Sequence, residues 1–579
     1  MKGGTPAAVF RGRRLLLRGL LVAGFAVLGW RAVDLQVFDR GFLQKEADAR
    51  HLRTVTLSAH RGMILDRNGE PLAVSTPVDS IWANPRELIP ARVPLGRLAT
   101  VLGMEHDELQ RRLAARAGRE FVYLRRHVDP AVAARVEALE IPGIYLQREY
   151  RRYYPDGEVI AHVVGFTNID DQGQEGMELA YDDWLRGEPG AKRVIKDGLR
   201  DTIEDVELIR APRPGRDLVL SIDRRLQYLA YRELKAAVRH HKARSGSVVL
   251  LDATTGEVLA MVNQPSFNPN NRKRKRPADM RNRAVTDVFE PGSTIKPFTV
   301  ACGLELGKYR PDTRIETGPG WYQVGVNTIR DIHNYGTLDV TGVIRKSSNV
   351  GASKIALSLP RDAFWSLLDR VGFGTATASG FPGEAAGLLV NYRRWYPIEQ
   401  ATLAFGYGLS VTPLQLARAY GIFATDGVLY PSSLLRLERP PAGERVVSAR
   451  VARQVRRMLE EVVGPEGTAQ KAAVPGYRVA GKTGTVRKSV GGGYAEDRYN
   501  AVFVGLAPAS APRLVALVMI NEPDNGEYYG GAVAAPVFAR VMTGALRLLN
   551  VAPDDLRDGR ETLRPRQAVA RPAEQGERA

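Results

Sequence analysis

The stretch Phe289-Glu290-Pro291-Gly292-Ser293-Thr294-Ile295-Lys296-Pro297-Phe298 decides the reading of this chain. Pro-Gly-Ser is a helix-start pattern, so Ser293 and Lys296 fall at i and i+3 on one face. Two more short motifs follow in order: Ser347-Ser348-Asn349, and Lys482-Thr483-Gly484-Thr485. KTGT precedes an edge-strand candidate, where Gly484 allows another backbone to come close. Each motif alone is common, and singly an N-cap serine, a surface lysine and a loop asparagine are the simpler readings. The ordered set is what carries chemistry. A serine hydroxyl is a weak nucleophile and needs a base within hydrogen-bond reach. Lys296 can be that base only when neutral, and burial together with the positive charge of Lys482 lowers its pKa. A tetrahedral oxyanion needs two preplaced donors, and the backbone N–H groups of Ser293 and Thr485 are the natural pair. Ser347 can pass a proton to a departing amine, and Asn349 can hold a peptide through its amide. Lys482, Thr483 and Thr485 offer charge and hydroxyls to a carboxylate.

Around these motifs the pattern is α+β. Ile222–Lys242 has an amphipathic helical period, with Leu226, Leu229, Ala230, Leu234 and Val238 on one face. Ser247–Val262 reads as a β-hairpin, Tyr499–Pro508 and Arg513–Asn521 as two more strands, and Ala535–Leu549 as a closing helix. Strands early and late with helices between them imply one antiparallel sheet closed by both ends of the domain. Residues 55–215 are Arg-rich and mixed α and β, with Arg61–Gly69 (RGMILDRNG) a strand running into an Asn-Gly turn. Most charges of that region are expected on the surface. His240 and His241 are adjacent, point apart on a helix and read as surface. The tail from Pro553 is polar and Arg-rich and reads as disordered.

The chain has 579 residues, 44% hydrophobic and 25% charged, which excludes a mostly disordered chain, a collagen and a polytopic membrane protein. The net charge of +18 invites an anionic partner: nucleic acid, a membrane surface or an acidic polymer. Cys302 is the single cysteine, so no intrachain disulfide or cysteine zinc site forms. Residues 15–38 are apolar over enough length to cross a bilayer and read as an uncleaved anchor behind a 1–14 tail. Four Lys/Arg before the span and Arg18 in its first turn stand against four after it, so the tail is placed inside and the body outside. Arg272–Arg276 (RKRKR) reads as an exposed flexible loop. Its sharper reading is attraction to anionic lipid or a polyanionic precursor rather than nucleic acid.

The chain resembles the class B penicillin-binding proteins nearly end to end. FEPGSTIKPF, KSSNVG, Phe405–Tyr420 (FGYGLSVTPLQLARAY) and AGKTGTVRK are similar to their transpeptidase domain. Arg61–Pro77 and Arg151–Phe166 resemble their N-terminal pedestal, and Gly526–Asp555 is similar to the septal, FtsI-type member. The resemblance implies a penicillin-binding transpeptidase domain of the serine β-lactamase-like fold over 216–552, a pedestal over 50–215, and a disordered tail over 553–579. It implies a peptidoglycan D,D-transpeptidase at the division septum, working through an acyl-serine on Ser293. Lys296, Ser347, Asn349 and Lys482 complete the catalytic set, and β-lactams acylate the same serine. Thr483, Gly484, Thr485, Tyr407, Tyr528 and Tyr529 are the implied substrate-binding residues. No cofactor or metal is implied. Implied partners are peptidoglycan stem peptides, a glycosyltransferase of the SEDS type (FtsW-like) and other division proteins, with the catalytic body periplasmic on an inner-membrane anchor. The rivals are a D,D-carboxypeptidase or β-lactamase-type hydrolase, and a non-catalytic penicillin-binding sensor or scaffold. A sensor would carry a cytoplasmic signalling domain, for which 14 residues are too few.

Overall fold

A computed structural model describes residues 7–34, 52–196, 202–271, 276–491 and 493–555. Helix α1 (Ala7–Val33) begins earlier than the 15–38 reading, taking in Arg11, Arg13 and Arg14. Gly12–Val33 has a mean hydropathy of 1.6, long and apolar enough to cross a membrane, with its side chains exposed. Residues 35–38 of the expected span lie outside the described residues, as do Arg272–Lys275 of the basic run and residues 556–579 of the tail. Pro553–Asp555, assigned to that tail, are held: Asp554 accepts from the N–H groups of Arg478 and Ser510, and the Asp555 N–H donates to Gly476.

The described chain divides into two compact units. One comprises the residues up to His60 with Pro77–Tyr150 and Gly187–Gly215. Within it, Asp79–Ala83 pairs antiparallel with Val122–Val128. Leu98, Leu102, Leu109, Leu113 and Val136 come from three short helices and close a small core on Ile81, Ala83 and Leu124.

The other unit holds Arg61–Thr76, Arg151–Arg186 and everything from Arg216. The RGMILDRNG segment forms the expected strand and turn: Ile64–Leu65 pairs with Pro71–Ala73, and Gly69 takes φ +90°. Its charges are not all on the surface. Arg61 is 1% exposed and donates to Glu178 (2.8 Å) and Asp182 (2.7 Å), while Arg152 donates to the other oxygen of Glu178 (2.6 Å) and to Ser75 (3.1 Å). A buried charge persists only when paired and hydrogen-bonded, and Glu178 between two guanidiniums meets that condition.

Five strands form the central antiparallel sheet: β1 (Ser245–Asp252), β2 (Val258–Gln264), β3 (Ala480–Val490), β4 (Gly493–Ala507) and β5 (Leu514–Asn521). Their order is β2-β1-β5-β4-β3, so the two ends of the domain meet in one sheet and β3 is an edge. Every residue of β1 and β2 is buried, so both faces are covered. The covering helices include α2 (Arg224–His240), α5 (Pro413–Ala424) and α7 (Ala535–Leu548), with α3 (Lys296–Glu305), α4 (Asn349–Ser358) and α6 (Ala449–Val463) building the layer around the site. Asp223 caps α2 by accepting from the Arg225 N–H, and Leu226, Ala230 and Leu234 are buried as the period requires. His241, just past α2, is buried at 6% exposure rather than on the surface.

Candidate active site

Three segments meet at the free edge of β3. The first is a 3₁₀ turn, Gly292–Ile295, that runs into α3. The helix therefore opens as a tighter turn than the sequence pattern indicates. With three residues per turn, i and i+3 eclipse, so Lys296 stands directly over Ser293, and its N–H donates to the Ser293 carbonyl. Gly292 takes φ +58° and donates to Gly406 (3.1 Å); a Cβ there would lie 2.3 Å from Val486. The Tyr420 hydroxyl donates to the Thr294 carbonyl (2.7 Å) from α5 and fixes the turn from beneath.

The second segment is the Ser347–Asn349 turn. Ser347 adopts φ +61°, unusual for a residue with a side chain. Ser348 caps α4 by accepting from the Gly351 N–H (2.9 Å). Asp331, on a neighbouring loop, accepts from the Ser348 hydroxyl and from the N–H groups of Asn349 and Val350. That carboxylate at a helix start satisfies donors that would otherwise be orphaned. A loop aspartate has no pattern by which the sequence could have flagged it.

The third is β3 itself. The KTGT residues lie inside the edge strand, not before it. A Cβ on Gly484 would lie 3.0 Å from the Pro291 carbonyl, so the expected close backbone approach is at the serine turn. Tyr407 and Arg487 both line the cleft beside this edge. Thr485, next to Gly484 on this strand, lines the cleft as well.

Both lysines are fully buried. Lys296 Nζ donates to the Ser347 carbonyl, to the Ser347 hydroxyl (3.1 Å) and to Asn349 Oδ1 (2.8 Å). Lys482 Nζ donates to the same Ser347 hydroxyl (3.0 Å). All three Lys296 bonds run to the 347–349 turn, so none reaches Ser293 directly. Burial, and after it the charge of Lys482, pushes Lys296 well below the usual lysine range, while Asp331 pulls it partly back. Burial lowers Lys482 to about 7.

A cleft of about 600 Å³ opens over this junction. Ser293, Ser347 and Asn349 line it with Thr483 and Thr485, and so do Tyr407, Tyr528 and Tyr529. Lys296 and Lys482 reach in from behind. None of the lining residues is acidic, whereas Lys346 and Arg487 are basic. Tyr499, not singled out in the sequence, stacks on Tyr528 at 4.3 Å, and Tyr528 on Tyr529 at 4.6 Å, giving the cleft an aromatic wall.

Comparison with known proteins agrees with this architecture. The family model for the penicillin binding protein transpeptidase domain matches residues 246–543, and that for the penicillin-binding protein dimerisation domain matches 56–220. The peptidoglycan D,D-transpeptidase FtsI of Escherichia coli K12 is 47% identical over 94% of this chain and 93% of its own length. The probable peptidoglycan D,D-transpeptidase PenA of Neisseria meningitidis serogroup A is 45% identical over 91% of each. Among solved structures, the apo transpeptidase domain of Burkholderia pseudomallei penicillin-binding protein 3 is 48% identical with a TM-score of 0.54, covering 58% of this chain and 97% of that one. The chain belongs to the class B penicillin-binding proteins, which join a dimerisation domain to a transpeptidase domain.

Proposed function

We propose that this protein is a peptidoglycan D,D-transpeptidase that cross-links stem peptides at the division septum, with Ser293 as the nucleophile. The observation that carries the reading is the convergence of two buried lysine amines on the Ser347 hydroxyl, beside a serine that opens a helix in an acid-free cleft. FtsI, named a peptidoglycan D,D-transpeptidase, and PenA, named a probable one, support it by their similarity.

In this mechanism neutral Lys296, whose two N–H groups keep two of its three contacts with the 347–349 turn, turns its lone pair to Ser293 and takes that proton as Oγ bonds to the carbonyl carbon of the D-Ala-D-Ala peptide bond. The developing oxyanion is held by the N–H groups of Ser293, at a helix start where N–H groups lack intrahelical partners, and Thr485. The C–N bond then breaks. The proton on Lys296 passes through the Ser347 hydroxyl to the departing amine, and D-Ala leaves. Asn349 holds the donor peptide. Lys482, Thr483 and Thr485 receive the terminal carboxylate, with Gly484 keeping the strand flush against the serine turn. Tyr407, Tyr528 and Tyr529 flank the donor. An amine of a second stem attacks the ester, loses its proton along the same route in reverse, and frees Ser293. A β-lactam enters by the first half of this sequence and stops at the ester.

Helix α1 supports a single-pass anchor in the inner membrane, with the tail before it cytoplasmic and the catalytic body periplasmic. A glycosyltransferase of the SEDS type and other division proteins are the partners this reading assigns. The test is incubation of the full-length chain with a donor stem ending in D-Ala-D-Ala and an amine-bearing acceptor stem, followed by mass spectrometry. A cross-linked product with release of D-Ala is expected. Free tetrapeptide alone would assign a carboxypeptidase. For the septal role, depletion in cells is expected to give filaments, and round cells would place the protein in elongation.

A further inference from the structure

Thr468 lies outside the three motifs, on the turn between α6 and β3, and its hydroxyl lies 3.1 Å from that of Thr483. The turn is held on several sides. Gly467 and Ala469 donate to Gly464 and Val462 (2.9 Å each), and Lys346 Nζ, next to Ser347, donates to the Glu466 carbonyl (3.0 Å). Arg345 adds an ion pair to Glu461 at 3.1 Å. On the remaining side a Cβ on Gly531 would lie 2.3 Å from the Thr468 carbonyl, so that glycine lets the next segment close on the turn. Thr468 is nonetheless exposed, because its side chain faces the open cleft.

A threonine hydroxyl has one proton and two lone pairs. Thr485 Oγ1 already accepts from the Gly530 N–H (2.9 Å), which leaves its own proton to donate. In the Thr468–Thr483 pair one proton lies between the two oxygens and one is left over. When Thr468 is the donor, the Thr483 proton is turned outward into the cleft, beside that of Thr485 two residues along the same strand face. Two hydroxyl protons then face a cavity lined by basic and neutral groups. Hydrogen bonding in sequence also strengthens the outer donor.

We propose that Thr468 is a positioning residue for the donor carboxylate: it donates to Thr483 and so aims the Thr483 proton at the terminal carboxylate of the donor stem or of a penicillin. This rests on the transpeptidase reading above, and it adds a fourth segment to the three that carry the motifs.

The test compares full-length wild type, Thr468→Val and Thr468→Ser. Acylation of Ser293 by benzylpenicillin and by its neutral methyl ester is followed by mass spectrometry and resolved into a binding constant and a chemical rate. Valine keeps the shape of threonine at an exposed position, and melting temperatures check the fold. Losing the neutral hydrogen bond that aims the Thr483 proton predicts about a fivefold weaker binding of the acid by Thr468→Val. The chemical rate and the ester kinetics are expected to stay near wild type, and Thr468→Ser to recover most of the loss. Unchanged binding of the acid by Thr468→Val, or an equal loss for acid and ester, overturns the proposal while leaving the transpeptidase reading intact. Failure of the wild type itself to acylate overturns both.

Discussion

The Lys482 amine lies 3.0 Å from the Ser347 hydroxyl, joining the edge strand of the sheet to the turn that opens α4. Lys296 reaches the same oxygen at 3.1 Å from the other side. One hydroxyl between two amines can accept a proton from one neighbour while donating its own, which is what a relay requires.

Ser347→Ala removes that relay and leaves both amines in place. Acylation by benzylpenicillin is expected to fall by about a hundredfold or more, with the melting temperature nearly unchanged. A loss below about threefold would take Ser347 out of the proton path.

Lys482 links function to stability through its pKa. Its folded value of about 7 lies below its ordinary 10.5, so the unfolded chain binds the extra proton between those values. Wild-type stability therefore falls as pH drops from about 10.5 to about 7, and this contribution then levels off. Lys482→Met lacks the penalty. Its melting temperature is expected to exceed that of wild type by a margin that grows over that window, while acylation is lost. A constant margin from pH 7 to 10 would contradict the assignment.

Asp331 acts on Lys296 through charge as well as through the turn it caps. Its carboxylate raises the Lys296 pKa, so Asp331→Asn is expected to move the acid limb of the acylation rate to lower pH. A slower rate with an unmoved limb would mean that Asp331 only supports the turn.

Arg61→Met leaves Glu178 with Arg152 alone in a buried site. Breaking a buried pair costs about 3–5 kcal/mol, so a marked drop in melting temperature is expected. Adding Glu178→Gln is expected to recover part of it. Loss near zero would show that water reaches the network.

The motif residues could be read from the sequence because the chemistry fixes their types, and Gly484 because only a bare Cα fits where β3 crosses the serine turn; Gly292, read only as part of a helix start, meets β3 at Val486 in the same way. Four of the five sheet strands were legible from their β-rich runs and α2 from its period, whereas β3 was expected only after the KTGT residues that it contains. What escaped is tertiary. Asp331, Thr468 and Tyr499 sit in loops or strands whose local pattern is ordinary, and they matter only through partners far away in sequence. Arg61 and Arg152 read as solvated charges because nothing local announces that Glu178 lies between them. The 3₁₀ start of α3 escaped for a related reason: the turn is held by Tyr420 and Gly406, both more than a hundred residues on.

The central claim is that Ser293 is the acylated residue. The most direct measurement is peptide mapping by mass spectrometry of the full-length protein after benzylpenicillin treatment, with Ser293→Ala in parallel. The account predicts a single long-lived penicilloyl adduct on the peptide containing Ser293, absent from the variant. An adduct on another residue, or equal labelling of Ser293→Ala, would contradict it.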